Sequence, residues 1–422
     1  MTTEKLLGYL FPLLSIKSVK ATPEPDAPFG KGIKAALDYT LNLAKSLGLE
    51  SIDYDGYIGE IVCGEGEDFG ILCHLDVVPE GSLSAWKSDP FTPTIRDGRL
   101  YCRGVLDDKS PAISALIALS ELKKEGAMFK RRVRLILGCD EESGWGCIDH
   151  FKKCATLPEE GISPDAEFPV IYAEKGILHV KYRFKKIKPF SAFGGIKANV
   201  VCDHARAEGD FKNAIASEKT VIADGAVEAF GVAAHGSTPE NGENAIKYIT
   251  AFLEENGYIA AGTTDKLFGN CEGAKNLEDE TGRLTLSPNI IDTDDEFVYY
   301  TADIRYPSTL KKDFVETALK KIGEYEILSF HKPLYADKNC ELVQTLTKIY
   351  NDVTGNNAEP IAIGGGTYAR ALKNAVAFGP SITEEEGSSI HMPNEFVTLD
   401  TLGKMYEIYY QAIKTLCTFK DL

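Results

Sequence analysis

The 422-residue sequence has no Cys-x-x-Cys pair, although it contains ten cysteines. Cys63, Cys73, Cys102, Cys139, Cys147, Cys154, Cys202, Cys271, Cys340 and Cys417 are scattered, and several lie inside apolar stretches such as GILCHLD and LILGCD. Cysteines embedded in strands behave as small buried hydrophobes. A disulfide framework is therefore not expected, and reduced thiols in a cytoplasmic protein are. Nothing in the spacing supports metal binding by these thiols. Positive charge is also short, with 46 Lys and Arg against 63 Asp and Glu and a net charge of −17. That argues against nucleic acid or an anionic membrane as partner. It leaves spare carboxylates, some of which could hold divalent cations. No apolar run is long enough to span a bilayer. The stretch MTTEKLLGYLFPLLSIKSVK has Glu4 early and Pro12 inside its short apolar run, and reads as an amphipathic first helix rather than a signal peptide. Internal repeats and low-complexity linkers are lacking too.

What is present is length enough for two domains. Residues 1–174 alternate strand-like and helix-like stretches, from YIGEIVCG and FGILCHLDVV to SPAISALIALSELKKEG, with Ser110 as expected cap and Pro111 at the first helical position. Such alternation predicts an α/β sheet flanked by helices. Residues 175–335 change texture: GILHVKYRFKK and TVIADGAVEAFGVAA alternate apolar and polar residues as half-exposed strands do, which predicts an inserted α+β domain. From 336 to 422 the earlier style returns, so a first domain in two parts with a second inserted is expected.

Five short stretches carry candidate chemistry. In LCHLDVVP, His74 and Asp76 follow an apolar strand and project past its C-terminal end, where α/β sheets place their sites. They read as a metal-binding imidazole with a supporting carboxylate, or as a plain His–Asp hydrogen bond. Asp107 and Asp108 in RGVLDDKSP read as ligands or as helix-capping acids. In CDEESG, Asp140, Glu141 and Glu142 directly follow a buried-looking strand, which is a costly place for like charges unless cations are near; an exposed acidic loop is the alternative. Asp165 in SPDAEFP and His391 in SSIHMPNEF complete the set, whereas His150, His179, His204 and His331 lack such company. Imidazole with carboxylate suits zinc, manganese or cobalt rather than calcium. One bridging carboxylate would allow two metals ~3.5–4 Å apart.

The stretches HLDVVP, GVLDDKSP, DEESG, SPDAEFP, GGGTYAR and HMPNE occur in this order. With them the chain resembles the dinuclear zinc metallopeptidase family of carboxypeptidase G, aminoacylase and carnosinase, and most closely its peptidase V dipeptidase branch. The resemblance implies a zinc-peptidase-like catalytic domain with a mixed central sheet flanked by helices, plus an inserted α+β lid domain. It implies His74, Asp107 and Asp165 on one metal, and His391, Glu142 and the bridging Asp107 on the other. It further implies a cis bond between Asp107 and Asp108, Asp76 as a supporting residue and Glu141 as general base. Asp at 165 goes in this family with dipeptidases and aminopeptidases, Glu with carboxypeptidases and deacylases. His235 in FGVAAHGSTP would polarise the substrate carbonyl, Asn199 would touch substrate, and Arg305 would grip a C-terminal carboxylate. Gly364, Gly365 and Gly366 would line the cleft with backbone. The implied protein is a metallo-dipeptidase using a metal-activated water and two divalent ions, zinc first, with manganese or cobalt also suiting the ligands. It would act on small peptides as a monomer, with a dimer as alternative. The rival readings are an N-acyl-amino-acid deacylase or aminopeptidase on the same site, and a non-catalytic metal-binding scaffold.

Overall fold

The computed structural model describes residues 1–216 and 219–419. The chain divides into two compact units, one of Met1–Tyr172, Tyr335–Ile361 and Thr367–Leu422, the other of Ala173–Leu334 and Ala362–Gly366. Residues 362–366 thus belong to the second unit, whereas the sequence pattern places them with the first. Five residues are too few to carry a periodicity that would reveal this.

Six strands of a mixed sheet lie wholly in the first unit, in the order Glu50–Tyr54, Ile58–Cys63, Arg131–Gly138, Glu67–His74, Glu160–Ser163 and Asn374–Ala377. Among the first three each strand is antiparallel to its neighbour, and the last four run parallel. Parallel strands are buried on both faces and read as near-continuous apolar runs. Accordingly Ile71, Leu72, Cys73, Val133, Leu135, Ile136 and Leu137 are all fully buried. The register sets His74 against Gly138, so the strands Glu67–His74 and Arg131–Gly138 end at the same edge. A Cβ on Gly138 would collide with the buried ring of Tyr368, so only glycine fits where that strand ends.

The helix Lys109–Lys124 is buried along nearly its whole length, against the sheet and the helix Leu399–Cys417. Its N-cap is Asp108, not Ser110, and Pro111 comes later in the first turn. The Asp108 side chain does not cap the helix because it accepts the backbone N–H of His74 at 3.0 Å instead. Lys109 is buried as well, and its ammonium donates to the carbonyls of Leu13 (3.2 Å) and Ile16 (2.7 Å) at the end of the helix Thr3–Leu14. A cation there satisfies carbonyls that a helix end leaves without partners. Burial nevertheless lowers its pKa to about 8. A small sheet of Phe396–Thr398, Arg99–Tyr101 and Thr94–Arg96 pairs Tyr101 with Phe396. It fixes the segment that leads to Asp107 beside the segment that carries His391.

The second unit is an eight-stranded antiparallel sheet with the helices Ala245–Glu255, Thr263–Phe268 and Lys312–Leu319. Along Gly176–Lys185 every second residue is buried, with Leu178, Val180 and Tyr182 inward, as a half-covered strand requires. These join Ile246, Ile249, Phe252, Val315 and Leu319 in one core. The stretch TVIADGAVEAFGVAA forms a hairpin of Thr220–Ala223 and Ala226–Phe230 rather than one strand. Asp224 and Gly225 both have positive φ, the two-residue turn that Asp-Gly favours. Alternation continues across the turn, which is why the pattern alone does not expose it. Among the described residues no helix is long and apolar enough to cross a membrane.

Candidate metal centre and active site

Three neighbouring parallel strands deliver the first set of side chains. Glu67–His74 ends on His74, Arg131–Gly138 runs on into Asp140–Glu142, and Glu160–Ser163 into Asp165. The loop before the helix Lys109–Lys124 adds Asp107, joined to Asp108 by a cis peptide bond, as the resemblance implies. His391, at φ 63°, comes from the loop before Phe396–Thr398.

The residues gather into two groups that share one carboxylate. His74, Asp107 and Asp165 form one, and Asp107, Glu142 and His391 the other, each with its donor atoms within 4.8 Å. His74 Nε2 lies 2.7 Å from Asp107 Oδ1 and 3.4 Å from Asp165 Oδ1. His391 Nε2 lies 2.7 Å from Asp107 Oδ2 and 3.0 Å from Glu142 Oε1. The two oxygens of Asp107 thus face different imidazoles. His74 Nδ1 is engaged by the main-chain carbonyl of Asp76 at 2.9 Å, which fixes the ring and leaves Nε2 aimed at the carboxylates. The Asp76 carboxylate stays beside that ring, with Oδ1 3.6 Å from His74 Nδ1. It accepts the backbone N–H groups of Glu141 and Glu142, each at 3.1 Å, and so positions the acidic loop.

The electrostatics fit a cation. Burial alone would lower the His391 pKa, but Asp107 and Glu142 raise it to about 11. Asp107 is held below the usual carboxylate range because His74 and His391 outweigh its burial. Burial and the Asp107 charge push Glu142 up to about 7. Burial, then the nearby Asp165 charge, pushes Glu141 well up. Carboxylates crowded in this way demand positive charge, and imidazole with carboxylate is the donor set of a zinc, manganese or cobalt site. The residues present therefore fit divalent metal ions.

The three acids of the loop separate in role. Asp140 accepts from Lys20 Nζ (2.6 Å), Ser143 Oγ (2.7 Å) and the Gly146 N–H (2.9 Å), and is tied up in holding the loop. Glu142 faces His391. Glu141 accepts the indole N–H of Trp145 on Oε1 at 3.1 Å.

Several residues that hold this arrangement lie inside the quoted stretches, which assign them no role. Glu395 is fully buried, and its carboxylate accepts Arg103 Nη1 (2.7 Å) and the backbone N–H groups of Gly104 (3.1 Å), Leu106 (2.9 Å) and Asp107 (3.3 Å). Arg103 in turn donates to the carbonyls of His391 (3.2 Å) and Met392 (3.3 Å). The pair clamps the Asp107 loop to the His391 loop across 292 positions of sequence. The signal in the sequence is an opposite charge inside each stretch, Arg103 in RGVLDDKSP and Glu395 in HMPNE. Tyr368 donates its backbone N–H to Asp165 at 3.0 Å and packs its ring edge-on against His74 and Trp145.

His235, Asn199, Arg305 and Gly364–Gly366 lie in the second unit. The Gly236 N–H donates to the Asn199 carbonyl at 2.8 Å, which sets His235 beside Asn199. His235 Nδ1 accepts the Ser237 N–H at 3.1 Å, so its Nε2 carries the proton of the neutral ring. Burial and the Arg305 charge lower its pKa and favour that neutral form. Arg305 is buried and pairs bidentately with Asp303, at 2.6 and 2.7 Å through Nε and Nη2, while Nη1 donates to the Gly364 carbonyl at 3.1 Å. One edge of the guanidinium is thus already taken.

A two-unit α/β protein with paired imidazole–carboxylate clusters at the C-terminal ends of parallel strands is of the metallohydrolase class. Residues 70–415 match Peptidase family M20/M25/M40, and the chain belongs to that family. It is therefore a hydrolase of peptide bonds, in a family whose peptidases depend on metal. It is 36% identical over 443 residues to a Bacillus subtilis protein named "Putative dipeptidase YtjP", covering 96% of this chain and 95% of that one. It is 35% identical over 474 residues to a Staphylococcus epidermidis protein named "Putative dipeptidase", covering 99% of each. Among solved structures it is similar in fold to aminoacylhistidine dipeptidase from Vibrio alginolyticus (TM-score 0.62, 14% identity, 99% of this chain and 97% of that one). It is also similar to aminopeptidase PepT from Bacillus cereus (TM-score 0.60, 16% identity, 98% of each chain).

Proposed function

We propose that the protein is a dipeptidase that works with two divalent metal ions, zinc first among them. The observation that carries this reading is Asp107, whose two oxygens each lie 2.7 Å from a different imidazole. His74 and Asp165 would complete one metal site with it, Glu142 and His391 the other. Bound there, the ions would lower the pKa of a water and polarise a peptide carbonyl. Glu141 would take the proton of that water on the carboxylate oxygen not held by Trp145, then pass it to the leaving amine. Asp76 would keep Glu141 and Glu142 aimed by holding their backbone N–H groups.

The second unit would act as a lid. The His235 Nε2–H would donate to the carbonyl oxygen as charge develops on it. Arg305 would bind the C-terminal carboxylate with its remaining edge, and Asn199 and the backbone of Gly364–Gly366 would hold the peptide between them. The relatives named as dipeptidases support a dipeptide substrate, and Asp at 165 favours it over N-acylated ones. A monomer in the cytoplasm is in keeping with this reading.

The test is Glu141→Ala, assayed after metal reconstitution on free and N-acylated dipeptides. The expected outcome is two ions still bound and turnover of free dipeptides lowered by about 10²–10⁴-fold, the usual worth of a general base. Turnover near that of the wild type would overturn the assignment, and a wild-type preference for N-acylated substrates would turn the reading to a deacylase.

A further inference from the structure

We infer that Asp55, His150 and Cys154 form a third metal-binding site, open to solvent and suited to a zinc-like divalent cation. Only three groups among the described residues bring three such donor atoms within 4.8 Å of one another. Two are the clusters around Asp107, and the third is this one. It repeats their pattern, in which one imidazole nitrogen is approached by two acceptor atoms. His150 Nε2 lies 3.1 Å from Asp55 Oδ2 and 3.5 Å from Cys154 Sγ.

A single hydrogen bond engages two of these three atoms and gives the sulfur no role. If Nε2 carries a proton, that proton serves the carboxylate and the sulfur is left beside a donor already engaged. If Nε2 is bare, its lone pair faces the carboxylate charge. A cation satisfies all three atoms at once. Zinc binds imidazole N at about 2.0–2.1 Å, carboxylate O at about 2.0–2.2 Å and thiolate S at about 2.3 Å, which makes tetrahedral N–O and N–S edges of about 3.3 and 3.5 Å. The observed separations are close to those edges.

The site is also held in place. His150 and Cys154 are four apart on the helix Gly146–Cys154 and share one face. The imidazole stacks on Tyr57, with ring centres 4.0 Å apart and planes 7° from parallel. Asp55 sits in a tight turn closed by the Tyr57 N–H on the Tyr54 carbonyl, with positive φ at both Asp55 and Gly56. The helix ends at Cys154, and the partial negative charge of a helix C-terminus favours a cation. Three protein ligands with Asp55 largely exposed leave a fourth position for water. Binding would release the Cys154 thiol proton to solvent and form one metal–sulfur bond.

This site can be told apart from the catalytic pair, since the ligands assigned to those clusters contain no sulfur. The full-length protein is titrated with cobalt(II) while the near-ultraviolet absorption of cobalt–thiolate charge transfer is followed. One equivalent beyond the catalytic complement should bind with such a band. Cys154→Ser should abolish the band and leave dipeptide hydrolysis unchanged, and His150→Asn should weaken cobalt binding at least tenfold. No sulfur band at saturating cobalt, or a band that survives in Cys154→Ser, overturns the site. As a second measurement, zinc should slow alkylation of Cys154 at least tenfold by peptide mapping; equal rates with and without zinc also overturn it.

Discussion

Both oxygens of Asp107 face an imidazole, both N–H groups of the acidic loop rest on Asp76, and one edge of Arg305 rests on Asp303. Each polar group is held by a second one, and this second layer is what the sequence hides. His74, Glu142 and Asp165 are legible because charged residues follow directly where apolar strands stop, whereas Asp107 and His391 lie in loops and enter through the family resemblance. Trp145, Arg103 and Glu395 are not legible, because nothing local distinguishes a tryptophan that donates to Glu141 from one that packs. Arg305 gives a prediction at this scale. Its free edge faces a substrate carboxylate in our reading, so Arg305→Ala should raise KM for free dipeptides about tenfold or more, a loss of at least about 1.4 kcal/mol. C-terminally amidated dipeptides should be much less affected. Equal losses on both substrates would remove Arg305 from that role.

Elements bring these residues together, and two such links can be cut. The Arg103–Glu395 pair ties the Asp107 loop to the His391 loop inside the protein, where both side chains are almost wholly buried. Changing a group that supports metal ligands commonly costs about 10–100-fold in metal affinity. Glu395→Gln keeps the shape and loses the charge, so a chelator-competition titration should show affinity weakened by that amount; wild-type affinity would show the clamp to be incidental. In the second unit Asp279 accepts the N–H and hydroxyl of Thr281 (2.7 and 2.6 Å) and of Thr309 (2.8 and 2.7 Å). Burial raises its pKa, but these bonds outweigh it and hold the carboxyl below its ordinary value. A carboxyl depressed on folding stabilises fully above its unfolded pKa and loses that contribution as pH falls through the folded one. Asp279→Asn should therefore cost about 1–3 kcal/mol at neutral pH, the usual worth of hydrogen bonds to a charged group. The gap in urea unfolding should persist at pH 5 and narrow below the ordinary carboxyl range. A gap that widened on acidification would contradict the assignment. The strands themselves are legible from apolar runs, whereas the Asp224–Gly225 hairpin is not, because its alternation does not pause at the turn.

On the scale of the molecule, the change from near-continuous apolar strands to alternating ones is visible in the sequence, and it follows from sheets buried on two faces or one. The unequal burial of the two clusters is not visible, since it depends on what closes over each. The His74 side chain is 0% exposed and that of His391 is 49% exposed. An ion held by His391, Glu142 and Asp107 is more open to water and chelator than one held by His74, Asp107 and Asp165, whose imidazole is enclosed. Removal of metal should therefore occur in two phases. Stopped-flow mixing with a chromogenic chelator should release one ion at least about tenfold faster than the other, a barrier difference of about 1.4 kcal/mol or more. Hydrolysis should vanish with the fast ion, while most of the fall in melting temperature should follow the slow one. An ion present at about 1,000 times its Kd contributes about 4 kcal/mol to the state that binds it. His391→Ala should keep only the slow ion and most of the thermal stability. Two ions leaving together, or a His391→Ala protein that binds none, would show that the clusters act as one inseparable site.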